Sequence, residues 1–179
     1  RIGKSYIAVE FARNEYDSYI LIDFSKAPAR VKHWFDEHLE DVDTLLQNIQ
    51  LHYKTRLTPR KSVIIFDEVQ KCPRAREAIK ALVEDHRFDY IETGSLISIK
   101  KNVTDIVIPS EEDGIEMYPM DFEEFLWAMG NEMMSEYIVK QFEAKKPMGD
   151  FHREAMRLFR QYLIVGGMPQ AVDEYVKSK

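Results

Sequence analysis

Residues 62–68 read Ser-Val-Ile-Ile-Phe-Asp-Glu, with apolar side chains running unbroken from Val63 to Phe66 before two adjacent carboxylates. An apolar run this short, bounded by polar residues, puts apolar side chains on both faces of a strand and needs cover on both. The stretch therefore predicts a buried strand of a parallel sheet, with the acids emerging at its carboxyl end.

The surrounding sequence supplies the cover. In residues 4–14, Ile7, Ala8, Phe11 and Ala12 share one face of a helix. Residues 19–24, Tyr-Ile-Leu-Ile-Asp-Phe, form a second short apolar run and a second buried strand. Helical stretches follow over about 28–40 and 41–55, where Val31, Trp34, Phe35 and Leu39 are spaced for a core face, and Pro59 ends the region. Pro73 opens a further helix with Ala78, Ile79, Leu82 and Val83 in register. Residues 88–95 give a third strand, ending Thr93-Gly94-Ser95. Strands alternating with helices argue a parallel α/β sheet with helices on both faces.

After residue 100 the texture changes. Two short strands are expected around the acidic turn Ser-Glu-Glu-Asp-Gly at 110–114, one of them over 114–120. From Asp121 onward the pattern is helical. Asp121 and Glu124 have capping-box spacing, and Phe122, Phe125, Leu126 and Met129 pack beneath, with Trp127 joining Phe122 and Phe125 as an anchor. Later helices cover roughly 132–145, 151–164 and 169–177, with Gly166-Gly167-Met168-Pro169 between the last two. The expected division is 1–120 for the α/β core and 121–179 for a small helical subdomain.

Composition narrows the function classes. The 179 residues are 45% hydrophobic and 31% charged, which is globular rather than disordered. A net charge of −6 gives no global attraction to nucleic acid or anionic membranes. The basic run Lys54, Arg56, Arg60 and Lys61 reads as a solvated connector. Cys72 stands alone, which excludes an internal disulfide and favours a cytoplasmic setting. No apolar stretch reaches the ~18 residues of a membrane span, so no membrane partner is expected. The histidines at 33, 38, 52, 86 and 152 show no metal-ligand spacing.

In open α/β sheets ligands sit outside the carboxyl ends of the strands. The first helix begins at Gly3-Lys4-Ser5, the tail of a phosphate-binding G-x-x-x-x-G-K-[ST] loop. Free N–H groups and the helix dipole favour a phosphate there, with Lys4 reaching the β- and γ-phosphates and the Ser5 hydroxyl ligating Mg²⁺. The second strand delivers Asp67, able to hold that ion, and Glu68, placed to polarise an attacking water. The third strand ends at Thr93-Gly94-Ser95, where a small hydroxyl can meet the γ-phosphate or the water. Gln70 either orients that water or caps its loop. Each feature is weak by itself; the three in order on one sheet, about 60 and then 25 residues apart, form a nucleotide site.

At these residues the chain resembles the AAA+ superfamily of P-loop ATPases. More narrowly, it is similar to the bacterial and archaeal "predicted ATPase" group, which has an AAA-type core, a helical lid and a separate C-terminal domain. The resembling stretches are Gly3-Lys4-Ser5, the Walker B run from Val63 to Pro73, and residues 90–98, 118–130 and 162–172. The resemblance implies a P-loop NTPase three-layer sandwich, a mainly parallel sheet of order 5-1-4-3-2, and binding and hydrolysis of ATP with Mg²⁺. It assigns nucleotide contacts to Ile2, Gly3, Lys4, Ser5, Tyr6, Thr93, Gly167 and Pro169, and Mg²⁺ to Ser5 and Asp67. Catalytic roles fall on Glu68, Lys4 and a sensor at Thr93 or Ser95, with Ser95 nearer the strand's exit. Gln170 stands near where a second sensor arginine is expected, and Arg74, Arg76 and Arg87 are candidates for an arginine finger.

The central first strand of that order has no counterpart after Arg1, so the protein is expected to extend upstream, and downstream into the family's further domain. Three readings of function follow. The first is an ATPase coupling nucleotide state to movement of an attached domain. The second is a nucleotide-gated interaction module with little hydrolysis, whose protein or DNA partner binds through regions outside this chain. The third, a small-molecule kinase, fits the Asp-Glu pair poorly. An oligomer is compatible with the first two.

Overall fold

A computed structural model describes residues 2–94 and 113–179. Ser95 and the strand expected before the acidic turn lie outside the described residues. The chain divides into two compact units, one of Lys4–Gly114 and one of Arg1–Gly3 with Ile115–Lys179.

The first unit is built on three parallel strands, β1 (Ser18–Asp23), β2 (Ser62–Asp67) and β3 (Asp89–Glu92), in the order β1-β2-β3. Helix α1 (Lys4–Glu15) precedes β1, α2 (Ala29–Glu37) and α3 (Val42–Tyr53) link β1 to β2, and α4 (Pro73–Glu84) links β2 to β3. Every residue of β2 is buried, as its unbroken apolar run requires. Its side chains alternate between two cores. Ile64 and Phe66 join Ile20, Ile22, Val31, Phe35, Leu45, Ile49 and Leu82 beneath α2, α3 and α4. Val63 and Ile65 face α1, where Ala8 and Ala12, one turn apart, let the helix backbone approach the sheet. The larger core centres on Phe24, Phe35 and Phe66, whose ring centroids lie 5.6–5.7 Å apart in edge-on and tilted pairs.

Register follows directly. Asp23 pairs with Asp67, and Phe66 with Glu92, so the carboxyl ends of the strands line up at one edge of the sheet. The ladder runs one residue further on each side, through Phe24 N–H to Asp67 O (2.9 Å) and Thr93 N–H to Phe66 O (2.9 Å).

The second unit is helical: α5 (Phe122–Ala128), α6 (Glu132–Glu143), α7 (His152–Val165) and α8 (Pro169–Lys177). Both bonds of the capping box form, Glu124 N–H to Asp121 Oδ1 and Asp121 N–H to Glu124 Oε2, each 2.9 Å. Phe122 and Phe125 pack against Phe159, Tyr162 and Tyr175. Trp127 does not share that role and is half exposed. The strand expected over 114–120 is absent as well, since those residues carry no regular structure. In its place Met120 N–H donates to Gly167 O (2.7 Å), and the Tyr162 hydroxyl donates to Met120 O (3.0 Å).

Candidate functional site

Gly3 has φ +92°, a left-handed value that glycine adopts without the Cβ clash facing other residues. Helix α1 starts at the next residue, and its first turn carries no acid to compete for the free N–H groups. Packing Ala8 and Ala12 against β2 runs α1 back across the sheet, so its amino end lies at the carboxyl end of β2. There the Ser5 hydroxyl donates to Asp67 Oδ1 at 2.7 Å. Thr93, just past β3, donates its hydroxyl to the same oxygen. Asp67 and Thr93 are both buried, at 7% and 6% exposure, so this carboxylate is held by protein donors rather than water.

Among the described residues Lys4 has no side-chain partner, which leaves its ammonium at the start of α1 available to an anion. Ile2 is partly exposed, and the Tyr6 side chain points largely to solvent, at 71% exposure.

Glu68 follows Asp67 in a left-handed conformation, φ 54°, rare for a residue with a side chain and costing about 1–2 kcal/mol. It is held there by a single 3₁₀ turn, Val69–Lys71. That turn is tied to the sheet by Val69 N–H to Thr93 O (3.1 Å) and to Glu68 by Lys71 N–H to Glu68 O (2.8 Å). The Glu68 carboxylate accepts a 2.5 Å hydrogen bond from Gln70 Nε2.

Asp23, which the sequence reading passed over, ends β1 beside Asp67. Its carboxylate accepts from Ser25 N–H and Ser25 Oγ and pairs with Lys26 at 2.8 Å. Burial pushes its pKa up, but these hydrogen bonds and the lysine outweigh burial and hold it below the ordinary value. The signal was available: Tyr19-Ile20-Leu21-Ile22-Asp23 repeats the apolar-then-acid pattern of β2.

Oxygen atoms make up this donor set, one carboxylate with two hydroxyls. Such a set suits a hard cation such as Mg²⁺, which takes one or two protein ligands and completes its shell with phosphate and water. Among the described residues no group of three or more His, Cys, Asp and Glu is placed to hold a metal by itself, so an ion here would depend on a bound phosphate ligand.

Gly167 and Pro169 belong to the helical unit, where Gly167 carries the main-chain bond to Met120 and Pro169 opens α8. Gln170 is exposed in the same first turn. Arg76 is buried with its Nε 3.7 Å from Glu92, out of reach of a second molecule. Arg74 pairs with Glu77, and Arg87 with Asp43 and Asp85, each at 2.6 Å. No helix among the described residues is long and apolar enough to cross a membrane.

A family model for an AAA domain matches residues 1–126. No curated protein and no solved structure matches the chain.

Proposed function

The chain belongs to the AAA domain family, an AAA-type nucleotide-binding family, and from that premise we propose that it binds ATP with Mg²⁺ and hydrolyses it. The observation that carries this reading is the convergence of Ser5 and Thr93 on the buried Asp67 carboxylate, one residue before Glu68. In the proposed site Gly3, Lys4 and Ser5 cradle the phosphates, flanked by Ile2 and Tyr6. Ser5 and Asp67 hold Mg²⁺, which neutralises charge on the β- and γ-phosphates when bound. Glu68 takes a proton from water as the water oxygen attacks the γ-phosphorus. The bond from that phosphorus to the bridging oxygen breaks, and ADP leaves with the electron pair. Thr93 and Ser95 are the proposed sensor positions, and Gly167 and Pro169 enter as adenine contacts through the family resemblance.

The same reading places the chain in the predicted-ATPase group, with strand order 5-1-4-3-2 and coupling of nucleotide state to movement of an attached domain. The parallel order β1-β2-β3 is compatible with the 4-3-2 portion of that sheet. The test is phosphate release from ATP by the intact protein, with and without Mg²⁺. Sustained Mg²⁺-dependent release supports an ATPase. Stoichiometric ATP binding without release supports the nucleotide-gated interaction module instead.

A further inference from the structure

The reading above leaves Gln70 without a role. Its carboxamide is nevertheless the group that holds the Glu68 carboxylate, through the 2.5 Å bond from Nε2 to Oε2. A carboxylate oxygen only accepts in such a bond, so the amide must turn its NH₂ toward Glu68 and its oxygen away. That oxygen, Gln70 Oε1, is buried and has no hydrogen-bond donor among the described residues. A buried acceptor without a donor costs about 1–3 kcal/mol, a cost this packing retains.

The amide's anchorage is rigid. Val69 on one side is 1% exposed in the main core, and Cys72 on the other is 5% exposed. Between them the 3₁₀ turn is closed by Lys71 N–H to Glu68 O (2.8 Å) and Cys72 N–H to Val69 O (2.9 Å). Glu68 is thus constrained twice, by its left-handed main chain and by an amide from a turn fixed to the sheet.

We propose that Gln70 is a positioning residue for Glu68, fixing through Nε2 the carboxylate that deprotonates the attacking water. The proposal rests on Glu68 acting as the water-activating base. Gln70 donates no proton and takes none; it restricts the geometry in which Glu68 does so.

The experiment measures kcat and nucleotide affinity of the intact protein for wild type, Glu68→Gln, Gln70→Ala and Gln70→Met. Methionine nearly keeps the volume and length of glutamine but has neither the amide donor nor the carbonyl acceptor. Both Gln70 variants should lose kcat by about ten- to a hundred-fold, the scale of a misplaced catalytic group, with the Kd for ATP within about two-fold of wild type. Wild-type turnover in Gln70→Met shows that Gln70 only fills space and overturns the proposal. A Kd that weakens in step with kcat makes the effect structural and overturns it too. Wild-type turnover in Glu68→Gln removes Glu68 as the base, and the inference falls with that reading rather than separately from it.

Discussion

The Ser5 hydroxyl donates a 2.7 Å hydrogen bond to Asp67 Oδ1, joining the first turn of α1 to the last residue of β2 across 62 positions of sequence. Thr93 donates to the same oxygen from the end of β3. Three elements that share no local sequence are therefore registered on one carboxylate atom. The proposed phosphate site is centred on that carboxylate, and the bonds also contribute to stability.

Thr93→Val keeps the shape of the side chain and removes the donor. Asp67 is buried, so its oxygen cannot turn to water for a replacement. The variant should be less stable by about 1.5–3 kcal/mol, the range for a hydrogen bond to a charged group, as measured by urea unfolding. Equal stability of variant and wild type would show that the Thr93 bond contributes nothing.

Gly167→Ala tests the contact between Met120 and Gly167. A Cβ at Gly167 would lie 2.0 Å from Met120 O, a backbone atom that cannot swing aside. Met120 must then move, losing its N–H bond to Gly167 O and the Tyr162 hydroxyl bond. Overpacking and lost hydrogen bonds together should cost roughly 2–4 kcal/mol. Unfolding followed by the circular dichroism of the helices would reveal it, and an unchanged midpoint would contradict the contact.

Asp23 gives a pH dependence. Its folded-state pKa lies below the ordinary 3.8 because its hydrogen bonds and Lys26 outweigh burial. A depressed pKa contributes stability that is present above the unfolded-state value and lost as pH falls through the folded one. Below pH 3.8 the wild type should therefore lose stability more steeply than Asp23→Asn. Parallel urea midpoints for the two proteins across that range would contradict it.

Much of this was legible in the sequence where a pattern had only one physical solution. The run from Val63 to Phe66 fixed a strand covered on both faces, and Asp121 with Glu124 fixed a helix start. The alignment of Ser5 with Asp67 followed from where helix starts and strand ends must lie in such a sheet. Residues 114–120 misled because β-forming composition does not by itself bury a segment; Ile115 and Tyr118 are exposed instead. Trp127 misled for a different reason. Phe122, Phe125 and Leu126 occupy the inward positions of α5, and residue 127 falls roughly 200° around the helix from residue 125. The bond between Gln70 and Glu68 depends on a left-handed glutamate, which no local preference signals.

The central claim is that Asp67 and Glu68 divide the labour at one strand end, one holding the metal–nucleotide complex and the other activating water. It is tested most directly by measuring ATP binding and single-turnover phosphate release together in the intact protein and its Glu68→Gln variant. Glu68→Gln should bind ATP within about two-fold of wild type and lose release by roughly a hundred-fold or more, whereas Lys4→Ala should weaken binding itself. Phosphate release by Glu68→Gln at the wild-type rate would contradict the account.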